Sequence, residues 1–317
     1  MWWIILLIAA AVLLVGGLTA MLIITLPISK KVYFNTLVRD TPNKWGRACS
    51  DTTNEEQVEM WGTGCKWAEQ NKSSMSEVMI ENDNLKLYGE YYDFGFDSCV
   101  IILPGRCESL KYSYYFAPPY QKSGCNVLVI DTRAHGKSDG KYNTIGTKES
   151  GDLIKWVEFL ENEHNIKKVF IHSICVGTST AITAMTSEGC PDSIKGLVTE
   201  GCFVSFRECY RTHMIYEKRP IFPVLDLVML LTRKYAHAKL TRQAPIRLVK
   251  KLEQPILFIF GEQDVFSLPH KSKKLYAACN SKQKQIVWFD KGAHSHLRIN
   301  NTAEYDKSIC DFVSGIK

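Results

Sequence analysis

The stretch Val169-Phe-Ile-His-Ser-Ile-Cys175-Val-Gly177-Thr-Ser-Thr-Ala181 decides how the rest of the chain is read. It opens as an apolar run of β-branched and aromatic residues, the composition of a buried strand. Small residues follow, and Ala181-Ile-Thr-Ala-Met185 reads as a helix packed by its Ala and Ile face. The join carries Ser173-x-Cys175-x-Gly177, a thiol with small residues two positions to either side. A turn this tight crowds its own neighbours, so the flanks must be small. The central side chain is then held out at the start of a helix, where the dipole favours an anion. The next backbone N–H, that of Val176, can hold an oxyanion. Ser173 cannot be the centre of such a turn, because Ile171 and Cys175 flank it at the same spacing. A buried core cysteine gives a similar local composition, so the remaining chain must discriminate.

The chain has 317 residues, 45% of them hydrophobic. That is enough for one large core and too short for two full α/β domains. Lys and Arg number 39 against 33 acidic residues, for a net charge of +6. This modest, scattered excess gives no case for a nucleic-acid partner. There is no P-loop, no G-x-G-x-x-G and no internal repeat. Strand and helix patterns alternate along the body, which predicts an α/β fold with a mostly parallel, doubly wound sheet. The expected strands are 77–80, 86–93, 98–103, 126–130, the run before Cys175, 196–199, 255–260 and 285–289. Asn82-Asp83-Asn84 should turn the first pair into a hairpin. Helices are expected over 148–163 and 302–315. An insertion over about 203–252, with Tyr210, His213, Met214 and Tyr216, reads either as ordinary helix packing or as a small cap giving an apolar substrate pocket.

Met1 to Ser29 contains no charged side chain. Trp2 to Leu26 is long enough to cross a bilayer core of ~30 Å as a helix, with Trp2 and Trp3 at one interface. A cleaved signal peptide fits less well, since there is no basic leader and apolar sequence continues beyond Leu18-Thr19-Ala20. The expected organisation is an anchor over 1–29, a juxtamembrane connector over 30–76 with short helices over 52–60 and 65–70, and the main body over 77–317. Lys30, Lys31, Arg39, Lys44 and Arg47 follow the span, so the positive-inside rule predicts a single-pass protein with its body in the cytoplasm. The 11 cysteines, an odd number with no disulfide or zinc spacing, lean the same way.

Several motifs then fall into register with a known family. The turn around Cys175 resembles the nucleophile elbow of α/β-hydrolases, G-x-S-x-G, with Cys for Ser and Ser173 for the first Gly. Cysteine stands at that position in relatives such as dienelactone hydrolases and the bile acid-CoA N-acyltransferases. Asp131-Thr-Arg133-Ala-His135-Gly136-Lys-Ser138-Asp-Gly140 resembles the D-x-R-G-x-G-x-S-x-G stretch, with Ala134 in place of a Gly. Gly146, Glu149 and Asp152 follow, as in the bacterial serine-hydrolase branch near the prolyl-oligopeptidase-like groups. The resemblance spans Glu77 to Lys317.

The family's order of nucleophile, acid, histidine then implies roles. Pro255-Ile-Leu-Phe-Ile-Phe-Gly261-Glu-Gln-Asp264 looks like the acid loop, so Asp264 is the expected acid, with Glu200 as the alternative. Val287-Trp-Phe-Asp-Lys-Gly-Ala-His294 looks like the histidine loop; His294 is the expected base and His296 its competitor. The His-x-His pair is a weak metal signal with no accompanying ligand cluster, and no metal or cofactor is implied. The oxyanion hole would use the main-chain N–H of Val176 and of Arg106, which follows the strand ending Leu103-Pro104-Gly105. The Arg106 side chain could separately bind an acidic substrate. The resemblance therefore implies a membrane-anchored hydrolase of a small-molecule ester or thioester, working through Cys175, His294, Asp264 and an acyl-enzyme. An acyltransferase using the same residues and a non-catalytic, hydrolase-like binding module are the alternatives.

Overall fold

Strands that are apolar on both faces must be covered on both faces, and the central strands of this chain are. A computed structural model describes residues 2–316. Its sheet comprises β1 (Met75–Asn82), β2 (Leu85–Tyr92), β3 (Ser98–Leu103), β4 (Asn126–Ile130), β5 (Lys168–Ile174), β6 (Ile194–Glu200), β7 (Ile256–Gly261) and β8 (Lys284–Phe289), in the order β1-β2-β4-β3-β5-β6-β7-β8. β1 and β2 form a hairpin through Asp83 and Asn84, whose φ values of 53° and 59° suit a twisted two-residue turn. β2 runs antiparallel to β4, and every later pairing is parallel. Strands β3, β4 and β7 are buried along their whole length, as expected for the inside of a parallel sheet.

The longer helices, in chain order, are α1 (Trp2–Leu37), α2 (Glu55–Gln70), α3 (Glu149–His164), α4 (Val176–Met185), α5 (Phe206–Tyr216), α6 (Val224–Ala236), α7 (Pro269–Ala278) and α8 (Thr302–Ile316). Leu153, Trp156, Val157 and Leu160 line the buried face of α3 and join Ala181, Ile182 and Met185 of α4 on one side of the sheet. Tyr305, Ile309, Phe312 and Val313 of α8 close the other side. Arg133 acts as an internal tether. It donates from Nε to Asp152 Oδ2 at 2.7 Å and pairs with Asp83 at 3.2 Å, tying the β4 loop to α3 and the hairpin turn.

The amino end departs from the expected boundaries. Helix α1 does not stop at Ser29 but continues for 36 residues to Leu37. Ser29, Tyr33 and Leu37, four residues apart, are buried, and α1 packs against α6. A stripe at that spacing gives the helix a face to dock after the uncharged span ends. Residues Trp2 to Leu26 leave their large apolar side chains exposed, and α1 is long and apolar enough to cross a membrane. The 30–76 segment is built into the body. One helix, α2, replaces the two short helices expected over 52–60 and 65–70. It is capped by Asn54, whose side chain accepts from Gln57 N at 3.1 Å. Met60 and Trp67 are buried, and Trp67 Nε1 donates to Gln121 at 2.9 Å. The insertion between β6 and β7 contains α5 and α6.

Candidate active site

Parallel strands present the loops at their carboxyl ends on one edge, and the candidate side chains come from four such loops. Cys175 joins β5 to α4 with φ 49° and ψ −110°, a conformation that a non-glycine residue holds only when its surroundings impose it. Gly177 allows the close approach this demands: a Cβ there would lie 2.9 Å from the Leu103 carbonyl oxygen. Ser173 fits where the motif has glycine because its hydroxyl turns into a buried polar cluster. It lies 3.1 Å from Thr178 Oγ1 and 3.3 Å from the Val198 carbonyl, which also removes it as a nucleophile.

β7 and β8 are parallel neighbours, so the loops that follow them meet. His294 Nδ1 lies 2.7 Å from Asp264 Oδ2. Asp264 Oδ1 accepts from the N–H groups of Phe266 and Ser267 at 2.8 and 2.7 Å. The imidazole rests over Gly201, where a Cβ would come within 2.8 Å of Cε1. Burial alone would raise the Asp264 pKa. The charge of His294 and these donors outweigh it, and the carboxyl lies below its usual range. Burial also disfavours the His294 imidazolium, but Asp264 and then Cys175 reverse this and raise its pKa well above the ordinary value.

Nε2 of His294 has no hydrogen-bond partner among the described residues, and Cys175 is near enough that each shifts the other's titration. A helix start favours an anion, yet the Cys175 thiol pKa is raised well above its usual value. Contact with the Cys209 thiol of α5 is the main cause, burial adds to it, and His294 only partly opposes both.

The competing residues are engaged elsewhere. Glu200 accepts from Tyr305 Oη at 2.5 Å and from Leu297 N at 3.3 Å. His296 meets Gln57 Oε1 at 2.6 Å and Glu56 Oε2 at 3.0 Å, bracing the histidine loop against α2. Val176 is the first residue of α4. Arg106 lies on the loop after β3, which pairs with β5 in the register Leu103↔Ser173, so both main-chain donors sit on the same edge of the sheet as Cys175. In that loop Gly105 N donates to Glu108 at 2.9 Å, and burial pushes the Glu108 carboxyl up to about 7.

Other neighbours carried no separate signal in the sequence. His213 of α5 stacks on Phe266 with centroids 3.9 Å apart, and Phe266 meets His294 edge-on at 5.5 Å. Burial lowers the His213 pKa to about 3, so its ring is neutral. Cys209 is one thiol among 11 cysteines, and only folding places it beside Cys175.

Comparison with known proteins agrees with this architecture. A family model described as the alpha/beta hydrolase fold matches residues 99–217. The uncharacterized protein YqkD of Bacillus subtilis is 29% identical over 215 residues, covering 66% of this chain and 67% of that protein. The uncharacterized membrane protein YNL320W of Saccharomyces cerevisiae is 24% identical over 228 residues, covering 71% and 74%. Among solved structures, the Pyrococcus furiosus esterase Pf2001 superposes with a TM-score of 0.66 at 23% identity, covering 78% of this chain and 94% of that one. With the sheet order, the tight turn at Cys175 and the family match in agreement, the chain has the α/β-hydrolase fold.

Proposed function

We propose that the protein is a membrane-anchored hydrolase that cleaves an ester or thioester through Cys175, His294 and Asp264. The carrying observation is the 2.7 Å bond between Asp264 and His294, with Cys175 near enough to raise the pKa of the same imidazole. Asp264 fixes the imidazole with Nδ1 protonated, leaving Nε2 to accept the Cys175 proton. The thiolate adds to the acyl carbon, and the main-chain N–H groups of Val176 and Arg106 hold the resulting oxyanion. His294 returns the proton to the leaving group. Water, deprotonated by the same imidazole, then hydrolyses the acyl-enzyme and regenerates the thiol.

Anchoring rests on the exposed apolar length of α1, and the likeness to a yeast membrane protein supports it. In the proposed arrangement the span is Trp2 to Leu26, the rest of α1 belongs to the body, and the body faces the cytoplasm. Arg39, Lys44 and Arg47 are tied to Ser138, Asp40 and Asp131 in the folded body. Insertion precedes folding, so they still count toward the positive-inside bias. Protease shaving of intact cells checks orientation; digestion of the body from outside would reverse it.

The test of the reaction is a screen of p-nitrophenyl esters and acyl-CoA thioesters with the full-length chain. Turnover should vanish in Cys175→Ala, and a thiol-directed probe should label Cys175 in competition with substrate. Undiminished activity in Cys175→Ala would remove the thiol from the mechanism.

A further inference from the structure

Resting on the ester or thioester reading above, a second feature of the site identifies what kind of acyl group it takes. Most arginines packed into this body are matched by carboxylates. Arg47 pairs with Asp131 and Glu90, Arg133 with Asp152 and Asp83, and Arg298 with Asp306. Arg219, near the site on the chain segment after α5, pairs with Glu217 at 2.7 Å. Arg106 differs. It is half buried, and no carboxylate among the described residues forms an ion pair with it. Its Nη1 donates to the Thr36 carbonyl at 2.9 Å and approaches Cys107 Sγ at 3.3 Å, both neutral acceptors. Glu108 accepts from Gly105 N and feels the charge of Arg106, but burial lifts its carboxyl to about 7, so it is only a partial counter-charge.

Its surroundings place this cation at the reaction site. Thr36 Oγ1 lies 2.5 Å from Tyr210 Oη, and Tyr210 follows Cys209, the thiol that meets Cys175. On its other side, the loop carrying Arg106 leans onto the elbow, since a Cβ at Gly177 would lie 3.1 Å from the Pro104 carbonyl. A guanidinium held between this turn and α5, with no ion pair among the described residues and only Glu108 as a partial counter-charge, is costly unless something else completes it. Its planar fork suits a carboxylate or a phosphate. We propose that the Arg106 side chain binds a negatively charged group on the acyl substrate, so that the preferred substrate is an anionic ester or thioester. Thr36 lies six residues beyond Lys30, roughly 9 Å along the helix axis. The charge is therefore within reach both of a lipid headgroup and of a soluble acid.

The test uses full-length protein in detergent and a pair of esters of matched shape, p-nitrophenyl valerate and mono-p-nitrophenyl glutarate. Wild type should favour the glutarate in kcat/KM by at least tenfold. Arg106→Met should collapse that ratio through KM of the glutarate, while Arg106→Lys keeps part of it. Added salt should weaken wild-type turnover of the glutarate more than that of the valerate, a readout that needs no variant. Calorimetry on Cys175→Ala should show glutarate half-ester binding that the added Arg106→Met change removes. Equal turnover of both esters by wild type, or an equal loss on both in Arg106→Met, would overturn the proposal and leave Arg106 as a tether to Thr36. If neither ester is turned over, the catalytic reading fails, and the calorimetry alone decides the charge proposal. Phosphatidate vesicles turned over faster than phosphatidylcholine vesicles would place the charge on a lipid headgroup. Preference confined to the soluble half-ester would place it on a soluble acid, and either result upholds the proposal.

Discussion

At the scale of single residues, the environment of one sulfur sets the expected pH behaviour. Cys175 and His294 both titrate above their ordinary values. The productive combination of thiolate attack and free imidazole therefore becomes more accessible as protons are removed, and kcat/KM should climb from neutral into alkaline pH. Cys209 is the largest contributor to the raised thiol, so Cys209→Ala should move that limb to lower pH in a pH–rate profile. Asp264 works in the opposite direction. Its carboxyl lies below the unfolded value of ~3.9, so it stabilises the fold at neutral pH and loses that contribution as acid protonates the folded form. Asp264→Asn should lower kcat by roughly 10³–10⁴-fold, the scale seen when a triad acid is neutralised. It should also flatten the acid side of a melting-temperature curve against pH.

At the scale of elements, α2 and the end of α1 support the site from outside the sheet. Gln57 and Glu56 of α2 hold His296, two residues from His294, while Trp67 packs against Tyr92 with the rings tilted and centroids 4.8 Å apart. Trp67→Ala should cost about 3–5 kcal/mol, as buried aromatic truncations do, read from urea unfolding of the body. A helix over the first part of the chain was evident from its uncharged apolar run. Its extension through Lys30 and Lys31 was not, because two adjacent charges look like the end of a span. Their side chains point outward while Tyr33 and Leu37 dock. The two-piece reading of α2 failed for a related reason. Gly62 and Gly64 look like breaks, yet Met60 and Trp67 pack on the body and hold one continuous helix across them.

At the scale of the whole molecule, the exposed apolar span and the body share α1, which makes the position of a truncation decisive. Removing residues 2–26 should leave a soluble body of nearly full stability and activity. Removing residues 2–38 also takes away buried Tyr33, Leu37 and Val38 and the Thr36 carbonyl held by Arg106. At about 1.5–3 kcal/mol for each large apolar side chain, that body should melt well below the first, and matched thermal melts with ester assays compare them. The sheet was legible beforehand because each central strand is a short apolar run closed by turn residues, a local property of the chain. The resemblance supplied the order Cys175, Asp264, His294, and the structure brings the loops after β7 and β8 together, with Asp264 against His294. What composition could not carry was the contact of Cys209 with Cys175, the engagement of Glu200 by Tyr305 and His296 by Gln57, and the neutral partners that Arg106 finds in Thr36 and Cys107. Each of these depends on groups far apart in sequence meeting in three dimensions. Local pattern determines which segments become strands and helices, whereas pKa and pairing depend on the neighbours that packing alone selects.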